Sequence, residues 1–420
     1  MLRIVIHNFG PIKEADIETK RYTVFIGQTS TGKSVAAKLI SIANDSDFMM
    51  LKDGDYGGFC KLLARYCIDF VFYEDTEIRI SNDQMSCVIR KDIITFDVKQ
   101  GSPLSIFRYM EIENAEQFKN DFKEVFDDLF NGRENDIVKK FRNNLDEDTI
   151  QALDRWDKID FNKLSSYQRN MVYLTIRHAL LTANSPVYIP AERILISIFT
   201  NSIFSLLQSG PSIPESIKRF GSLYERAKAK EKQLNIDFMN IIVSFSKEQD
   251  TIHVGSDNID IDFSQASSGM QSIIPMWSVF CNALDDLRPT IVIEEPELNL
   301  FPTLQVALVS KMVERLNSSR SNLVITTHSP YILSVFDNLI YAKDVYDRAD
   351  DERKEKVAAL VNPDAMISYD DIAAYNFDDH GVVTFINDPE TRSTGAYALD
   401  AASNETANVF NELLAIDNEL

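Results

Sequence analysis

The N-terminal quarter of the chain alternates short apolar runs with polar turns, a pattern typical of β-strands. Three strands are predicted before the first glycine-rich segment, at residues 3–6, 14–18 and 22–26. Four more are predicted at residues 68–73, 77–80, 85–90 and 93–98. Because the gaps within this second group are short, its strands should pair as hairpins and form an antiparallel β subdomain.

Helical spacing replaces this pattern between residues 103 and 235, where charged residues surround apolar positions such as Phe118, Phe122, Val125, Phe126 and Leu129. We therefore predict a helical insertion. Within it, residues 187–193 should form a strand that runs into a turn and a helix, and residues 222–234 an exposed, charged helix. Arg193 could reach a site at the strand end or pair structurally with an acidic neighbour, and the sequence leaves both open.

Strands and helices alternate from residue 240 onwards, with strands at 241–245, 251–254, 259–263, 290–293 and 322–326 and helices at 268–284 and 304–316. This alternation is typical of the βαβ units of a parallel sheet. The pattern weakens after about residue 345. We predict an α/β protein with a core from residues 1–100 and 241–345, an insertion at 101–240 and a small C-terminal appendage at 346–420.

The 420 residues are 45% hydrophobic and 25% charged, an ordinary balance for two or three globular domains. With no apolar run near the roughly 20 residues of a membrane span and no export signal, we expect a cytoplasmic protein with no membrane partner. The four cysteines form no C-x-x-C pair and should be reduced thiols. A net charge of −21 does not favour long-range attraction to DNA, although a local basic patch remains open.

A phosphate-binding pattern, G-x-x-x-x-G-K-[ST], follows the third strand as Gly27-Gln28-Thr29-Ser30-Thr31-Gly32-Lys33-Ser34. A buried strand precedes it and a helix follows, so backbone N–H groups and the positive helix end would face a nucleotide phosphate. We expect Lys33 to reach the β- and γ-phosphates and Ser34 to bind Mg²⁺.

Two later strands end in polar residues, at the sheet edge where open α/β folds bind ligands. The first ends in Glu294 and Glu295, whose side chains alternate across the strand and so need different roles. Glu294 is predicted to hold the Mg²⁺ shell, and Glu295 to orient or deprotonate the attacking water. The second leads to His328, which could hydrogen-bond a γ-phosphate. In isolation an exposed acidic turn and a structural histidine would be the simpler interpretations.

The helix at 268–284 opens with Ser268, Gly269 and Gln271. A serine and a glycine at a helix start expose N–H groups and a hydroxyl, and so offer a second anion site. One chain cannot easily wrap both anion sites around one phosphate. We therefore predict a head-to-tail pair in which this helix closes on the γ-phosphate held by the other copy; a plain helix cap is the alternative.

The motifs, in this order, resemble those of the ATP-binding-cassette (ABC) ATPases of the SMC, RecF and OLD branch. The resemblance covers residues 1–40 and 240–335, through the phosphate loop, S-S-G-M-Q, I-V-I-E-E-P-E-L-N-L and T-T-H-S-P. It implies a P-loop ABC-ATPase head that binds ATP and Mg²⁺. The implied assignments are Walker A for Lys33 and Ser34, signature for Ser268, Gly269 and Gln271, Walker B for Glu294 and Glu295, D-loop for Glu297 to Leu300, and switch histidine for His328.

Departures from the family pattern are Glu294 in place of the commoner Asp, Phe301 in place of a His, and no assignable Q-loop glutamine. The resemblance extends to the ATPase partners of antiphage defence pairs such as PARIS and Septu, which implies a separate effector nuclease. Nuclease activity is not expected in this chain, because Asp378, Asp379 and Asp388 lie in predicted loops. The alternatives are a RecF-like DNA-binding clamp in repair and a nucleotide-dependent scaffold with little turnover.

Overall fold

The structure, a computed structural model, describes residues 1–100, 186–199, 213–246, 250–255, 259–285 and 289–395. Three β-sheets and their flanking helices confirm the predicted α/β class. The strands are β1 (Arg3–Phe9), β2 (Ile12–Glu18), β3 (Tyr22–Gly27), β4 (Glu77–Ser81), β5 (Met85–Arg90), β6 (Ile93–Val98), β7 (Val187–Ile189), β8 (Gln233–Ile236), β9 (Ile241–Ser244), β10 (Thr251–Val254), β11 (Ile259–Asp262), β12 (Thr290–Glu294), β13 (Asn322–Thr327), β14 (Ile372–Phe377) and β15 (Val383–Phe385). The α-helices are α1 (Lys33–Ala43), α2 (Ser46–Met49), α3 (Tyr56–Arg65), α4 (Leu195–Phe199), α5 (Glu215–Lys230), α6 (Ser268–Leu284), α7 (Pro302–Asn317), α8 (Pro330–Arg348) and α9 (Asp351–Leu360).

The central sheet has the strand order β15-β14-β3-β13-β12-β7. All neighbouring strands are parallel except β14 and β15. This confirms the strands predicted from residues 22, 187, 290 and 322 onwards and the parallel pairing of β12 with β13. Every residue of β12 is buried, as expected for a parallel sheet with both faces covered.

Side chains of the central strands point alternately into two hydrophobic cores. On one face Ile291 and Ile293 pack with apolar residues of α6, α7 and α8. On the other face Val292 packs with residues of α1 and of the five-stranded sheet. Alternation therefore directs Glu294, two residues beyond Val292, to the face that carries α1.

The second sheet is antiparallel, in the order β2-β1-β4-β5-β6, which confirms the predicted hairpins. The strand predicted at residues 68–73 is wrong, because this segment pairs with no strand. Ile68 and Phe72 are buried in the adjoining core, whereas Phe70, Val71 and Tyr73 are exposed. Some residues of an apolar run can thus be buried in a core although the run pairs with no strand. Its sequence alone does not distinguish this case from a strand.

The third sheet, in the order β11-β10-β9-β8, is also antiparallel. The sequence analysis places β9, β10 and β11 within the βαβ alternation of the parallel sheet. That placement is wrong, because the gaps between these strands are too short for parallel crossovers. The charged helix predicted at residues 222–234 is shifted: α5 covers Glu215–Lys230, and Gln233–Ile236 is a strand. The helices predicted at 268–284 and 304–316 are confirmed as α6 and α7.

Most of the predicted helical insertion, including the apolar series from Phe118 to Leu129, lies outside the described residues. The domain boundaries remain predictions. They place β7 in the insertion and β14 in the appendage, whereas both strands belong to the central sheet. Among the described helices, none combines the length and apolar character required to cross a membrane. The four cysteines lie in the described part of the chain, where none of them forms a disulfide.

Candidate nucleotide site

The loop between β3 and α1 depends on two glycines with positive φ. Gly27 has φ +149°, and a Cβ there would lie 2.2 Å from the carbonyl oxygen of Phe377. Gly32 has φ +103°, and a Cβ there would lie 2.6 Å from the Ile12 side chain. The Thr31 hydroxyl donates to the Gln28 carbonyl oxygen at 2.9 Å, which closes the turn before α1. The fixed glycines of the motif therefore answer a steric need at both ends of the loop.

Lys33, the first residue of α1, folds back over this loop. Its Nζ donates to the carbonyl oxygens of Gly27, at 2.8 Å, and Gln28. The same Nζ lies 3.5 Å from Nδ1 of His328. Burial lowers the pKa of Lys33 to about 8, and nearby glutamates, Glu295 foremost, oppose that shift. An anion placed at the loop would favour the charged form of Lys33.

Glu294 ends β12 on the α1 face, where the hydroxyls of Tyr188 and Ser34 favour the ionised form of its carboxylate. Its Oε1 is buried and has no hydrogen-bond partner in the described part of the chain. Burial raises the pKa of Glu294, and the positive charge of Lys38 is the largest opposing effect. An unpartnered carboxylate oxygen, together with the Ser34 hydroxyl, fits Mg²⁺, which prefers oxygen ligands and commonly takes one or two carboxylates with substrate phosphates.

Glu295 and His328 come from neighbouring strand ends and meet over the loop. Nε2 of His328 lies 3.1 Å from Oε1 of Glu295, so the imidazole bridges this carboxylate and Lys33. Glu295 adopts φ +45°, an unusual value for a residue with a side chain. Its N–H donates to the carbonyl oxygen of Thr326 at 2.9 Å. The structure thus brings together Lys33, Glu295 and His328, three residues distant in sequence.

Glu297 hydrogen-bonds to the end of β13, next to His328, a role that the sequence analysis missed. Its Oε1 accepts from the Thr327 hydroxyl at 2.5 Å and from the His328 N–H at 3.0 Å. Its Oε2 is buried and unpartnered among the described residues. Burial raises the pKa of Glu297. The available signal was a third acid two residues after Glu295, in a loop predicted to follow the strand directly.

The predicted signature residues lie at the start of α6. Ser267 caps this helix, its Oγ accepting from the Met270 N–H at 3.4 Å, and Ser268 is exposed. A Cβ on Gly269 would lie 2.9 Å from the carbonyl oxygen of Asn299, so the glycine permits close packing against the loop after β12. Gln271 Nε2 donates to the carbonyl oxygens of Phe263 and Ser264. Within the described ranges, no hydrogen bond joins this helix start to Lys33, Glu295 or His328.

Arg193 takes neither of the two roles that the sequence left open. It lies in a 3₁₀ turn after β7 and is fully buried. Its guanidinium donates to backbone carbonyl oxygens: Pro190 at 3.2 Å, Glu294 at 2.7 Å and Glu295 at 2.6 Å. It therefore contacts the backbone of the acidic pair rather than a carboxylate or the mouth of the site.

A family model described as an AAA ATPase domain, AAA_15, matches residues 1–333, which is most of the 420-residue chain. The chain belongs to this family. The phosphate loop and both strand ends described above lie within the matched residues.

Solved structures with similarity include an SMC head domain from Thermotoga maritima, at 11% identity and TM-score 0.36, covering 79% of this chain and 90% of that one. An SMC head bound to the C-terminal winged-helix domain of ScpA has 11% identity and TM-score 0.37, with 91% and 96% covered. An SMC head with an extended coiled coil, bound to a ScpA domain derived from Pyrococcus furiosus, has 9% identity and TM-score 0.36, with 92% and 96% covered. Likeness at this level does not bear on function. A search of curated proteins found no match.

Proposed function

We propose that this AAA ATPase domain binds ATP with Mg²⁺ and hydrolyses it in an ABC-type site completed by a second copy of the chain. The observation that carries the proposal is the convergence of Lys33, Glu295 and His328 at the phosphate loop. His328 lies 3.1 Å from the Glu295 carboxylate and 3.5 Å from Lys33 Nζ. A cation, a candidate base and a candidate sensor thus share one small space, as hydrolysis of a terminal phosphate requires.

Each residue then has a separate role. The loop from Gly27 to Ser34 cradles the phosphates, and Lys33 exchanges its bonds to loop carbonyls for phosphate oxygens. Ser34 and Glu294 would hold Mg²⁺, which supplies charge neutralisation at the β- and γ-phosphates when bound. Glu295 orients and deprotonates the attacking water, while His328 hydrogen-bonds the γ-phosphate.

Exposed groups near the site support closure by a second copy. Ser268 is exposed at the start of α6, next to a loop whose Phe301 is 71% exposed. Tyr331, three residues beyond His328, is also exposed. Apolar and hydrogen-bonding groups that flank an open site are suited to contact between protein copies. In this arrangement Ser268 of one copy faces the γ-phosphate held by Lys33 of the other.

Two substitutions test the hydrolytic site. Lys33→Ala should abolish ATP binding, measured by calorimetry. Glu295→Gln should keep ATP binding, lower turnover by about 100- to 10,000-fold and trap an ATP-bound dimer, detected by size-exclusion chromatography with light scattering. Normal hydrolysis by Glu295→Gln would remove Glu295 as the base. ATP binding by the unaltered chain with no turnover would favour the scaffold alternative.

A separate effector, such as a nuclease of a defence pair, remains the proposed partner, and its support is the sequence resemblance. The Glu295→Gln chain, held in its ATP-bound form, is the natural bait for co-purification from native cells. The DNA-clamp alternative is tested by DNA affinity at two salt concentrations, since a clamp that neutralises phosphates weakens steeply with salt. The charge of −21 favours the protein partner.

A further inference from the structure

Arg193 is the most completely buried charged side chain near the proposed site, with 0% exposure. Burial lowers its pKa to about 10, while the charges of Glu297, Glu295 and Glu294 oppose that shift. Within the described residues, its hydrogen bonds go to three backbone carbonyl oxygens and not to these carboxylates. A guanidinium is an expensive group to bury, so its contacts call for a reason.

The geometry of these contacts supplies that reason. The carbonyls of Glu294 and Glu295 belong to the peptide planes before and after the Glu295 Cα. Rotation of these two planes about that Cα defines φ and ψ of Glu295. The two carbonyl oxygens accept hydrogen bonds at 2.7 Å and 2.6 Å from one rigid guanidinium, so the orientations of the two planes are fixed relative to each other. The direction of the Glu295 side chain follows from them.

Glu295 needs such support because its backbone is strained. Its φ of +45° lies in the left-handed region, which L-residues with side chains adopt rarely. Such a conformation persists when surrounding contacts over-determine it. The Glu295 N–H bond to Thr326 supplies one restraint, and Arg193 supplies two more.

We propose that Arg193 is a positioning residue that holds Glu295 in its left-handed conformation and so aims the carboxylate at His328 and the attacking water. This rests on the proposed ATP hydrolysis. Arg193 acts on turnover through Glu295 and leaves ATP binding to the loop. Lysine cannot replace it, because an ammonium lacks the rigid planar fork that reaches both carbonyls.

Arg193→Lys should lower single-turnover hydrolysis by about 100-fold, the loss that a misplacement of about 1 Å can cause. The ATP dissociation constant should change by less than about threefold. Arg21→Lys is the matched control: Arg21 also donates to three backbone carbonyls, of Leu316, Asn317 and Ser319, away from the acids. It should hydrolyse ATP at the normal rate.

A double-mutant cycle separates positioning from general structural support. If Arg193 acts through Glu295, Arg193→Lys should not lower any further the slow residual single-turnover rate of the Glu295→Gln background. An equal loss in both backgrounds, or a parallel loss of ATP affinity, would overturn the proposal. Arg193→Gln, which keeps an amide donor without the charge, provides a second variant. If thermal unfolding shows that neither variant is folded, the guanidinium is required for the fold itself and the proposal fails.

The outcomes also distinguish the role proposed for Arg193 from the proposed ATP hydrolysis on which it rests. No hydrolysis by the unaltered chain, or normal hydrolysis by Glu295→Gln, would overturn the proposed function. A normal rate for Arg193→Lys, with Glu295→Gln strongly slowed, would overturn the role of Arg193 alone.

Discussion

The two halves of the proposed site are built in opposite ways. The phosphate loop is one continuous segment whose shape is set by its own glycines and by hydrogen bonds such as Thr31 to Gln28. The acid–histidine half is assembled from three segments: the turn after β7, the end of β12 and the end of β13. The first half is therefore fixed by local conformation and the second by tertiary contacts, and substitutions should affect them differently.

The largest effect should come from breaking the local half at Gly27. Gly27→Ala would place a Cβ 2.2 Å from the Phe377 carbonyl oxygen at a φ of +149°. We expect ATP affinity to fall by more than about 100-fold, because the loop can no longer direct its N–H groups at the phosphate. Strain and overpacking should lower the free energy of unfolding by about 1–3 kcal/mol.

Gly57→Ala is the control for this change. Gly57 lies in α3, and a Cβ there would meet nothing within 4 Å. Alanine in a helix interior should be neutral or stabilising by up to about 1 kcal/mol. Calorimetric titration and thermal unfolding report both quantities. Equal ATP affinity in the two variants would contradict a sterically required Gly27.

The second effect separates the halves through Glu297, which belongs only to the assembled one. Glu297→Leu removes the acceptor for the Thr327 hydroxyl and the His328 N–H, and an unpaired buried donor such as the Thr327 hydroxyl costs about 1–3 kcal/mol. Hydrolysis should fall by about 10- to 100-fold with ATP binding retained. Glu297→Gln keeps an amide oxygen in the acceptor position and should stay within about fivefold of normal. Similar hydrolysis rates for both variants would argue against a role for the hydrogen bonds that Glu297 accepts from Thr327 and His328.

These two halves also differ in how far the sequence predicts them. The loop motif, the acids Glu294 and Glu295, and His328 could all be placed at one sheet edge, because the carboxyl ends of parallel strands meet there. The contacts of Arg193 and Glu297 could not, since they depend on which strands become neighbours. β7 lies next to β12 although about a hundred residues separate them in the chain.

The same limit explains the errors in the fold. The strands from Ile241 to Asp262 were assigned to the parallel sheet because period and length reveal a strand but not its partner. Residues 68–73 have a strand-like composition, yet the segment pairs with no described strand: Ile68 and Phe72 are buried in a core, and Phe70, Val71 and Tyr73 are exposed. Local chemistry specifies the conformation of a segment more strongly than it specifies which segments become its neighbours.

The third effect is a pH dependence that belongs to the loop half. Burial lowers the pKa of Lys33 to about 8 in the nucleotide-free chain, whereas a bound phosphate would favour its charged form. Below about pH 8 Lys33 is already protonated, so ATP affinity should be nearly constant. Above it Lys33 must take up a proton on binding, and affinity should fall by up to about tenfold per pH unit. Calorimetry in buffers of different ionisation enthalpy would detect that proton uptake.

The smallest effect tests whether the assembled half continues into a second copy. Tyr331 and Tyr341 are 51% and 68% exposed on the same helix, α8, about 15 Å apart along its axis. Tyr331 lies beside His328, and Tyr341 lies towards the far end. In the Glu295→Gln background with ATP, Tyr331→Ser should weaken dimer formation about five- to tenfold, as loss of an aromatic interface contact does. Tyr341→Ser should leave it unchanged. Sedimentation velocity measures both, and equal weakening would place the second copy elsewhere, leaving Ser268 as a plain helix start.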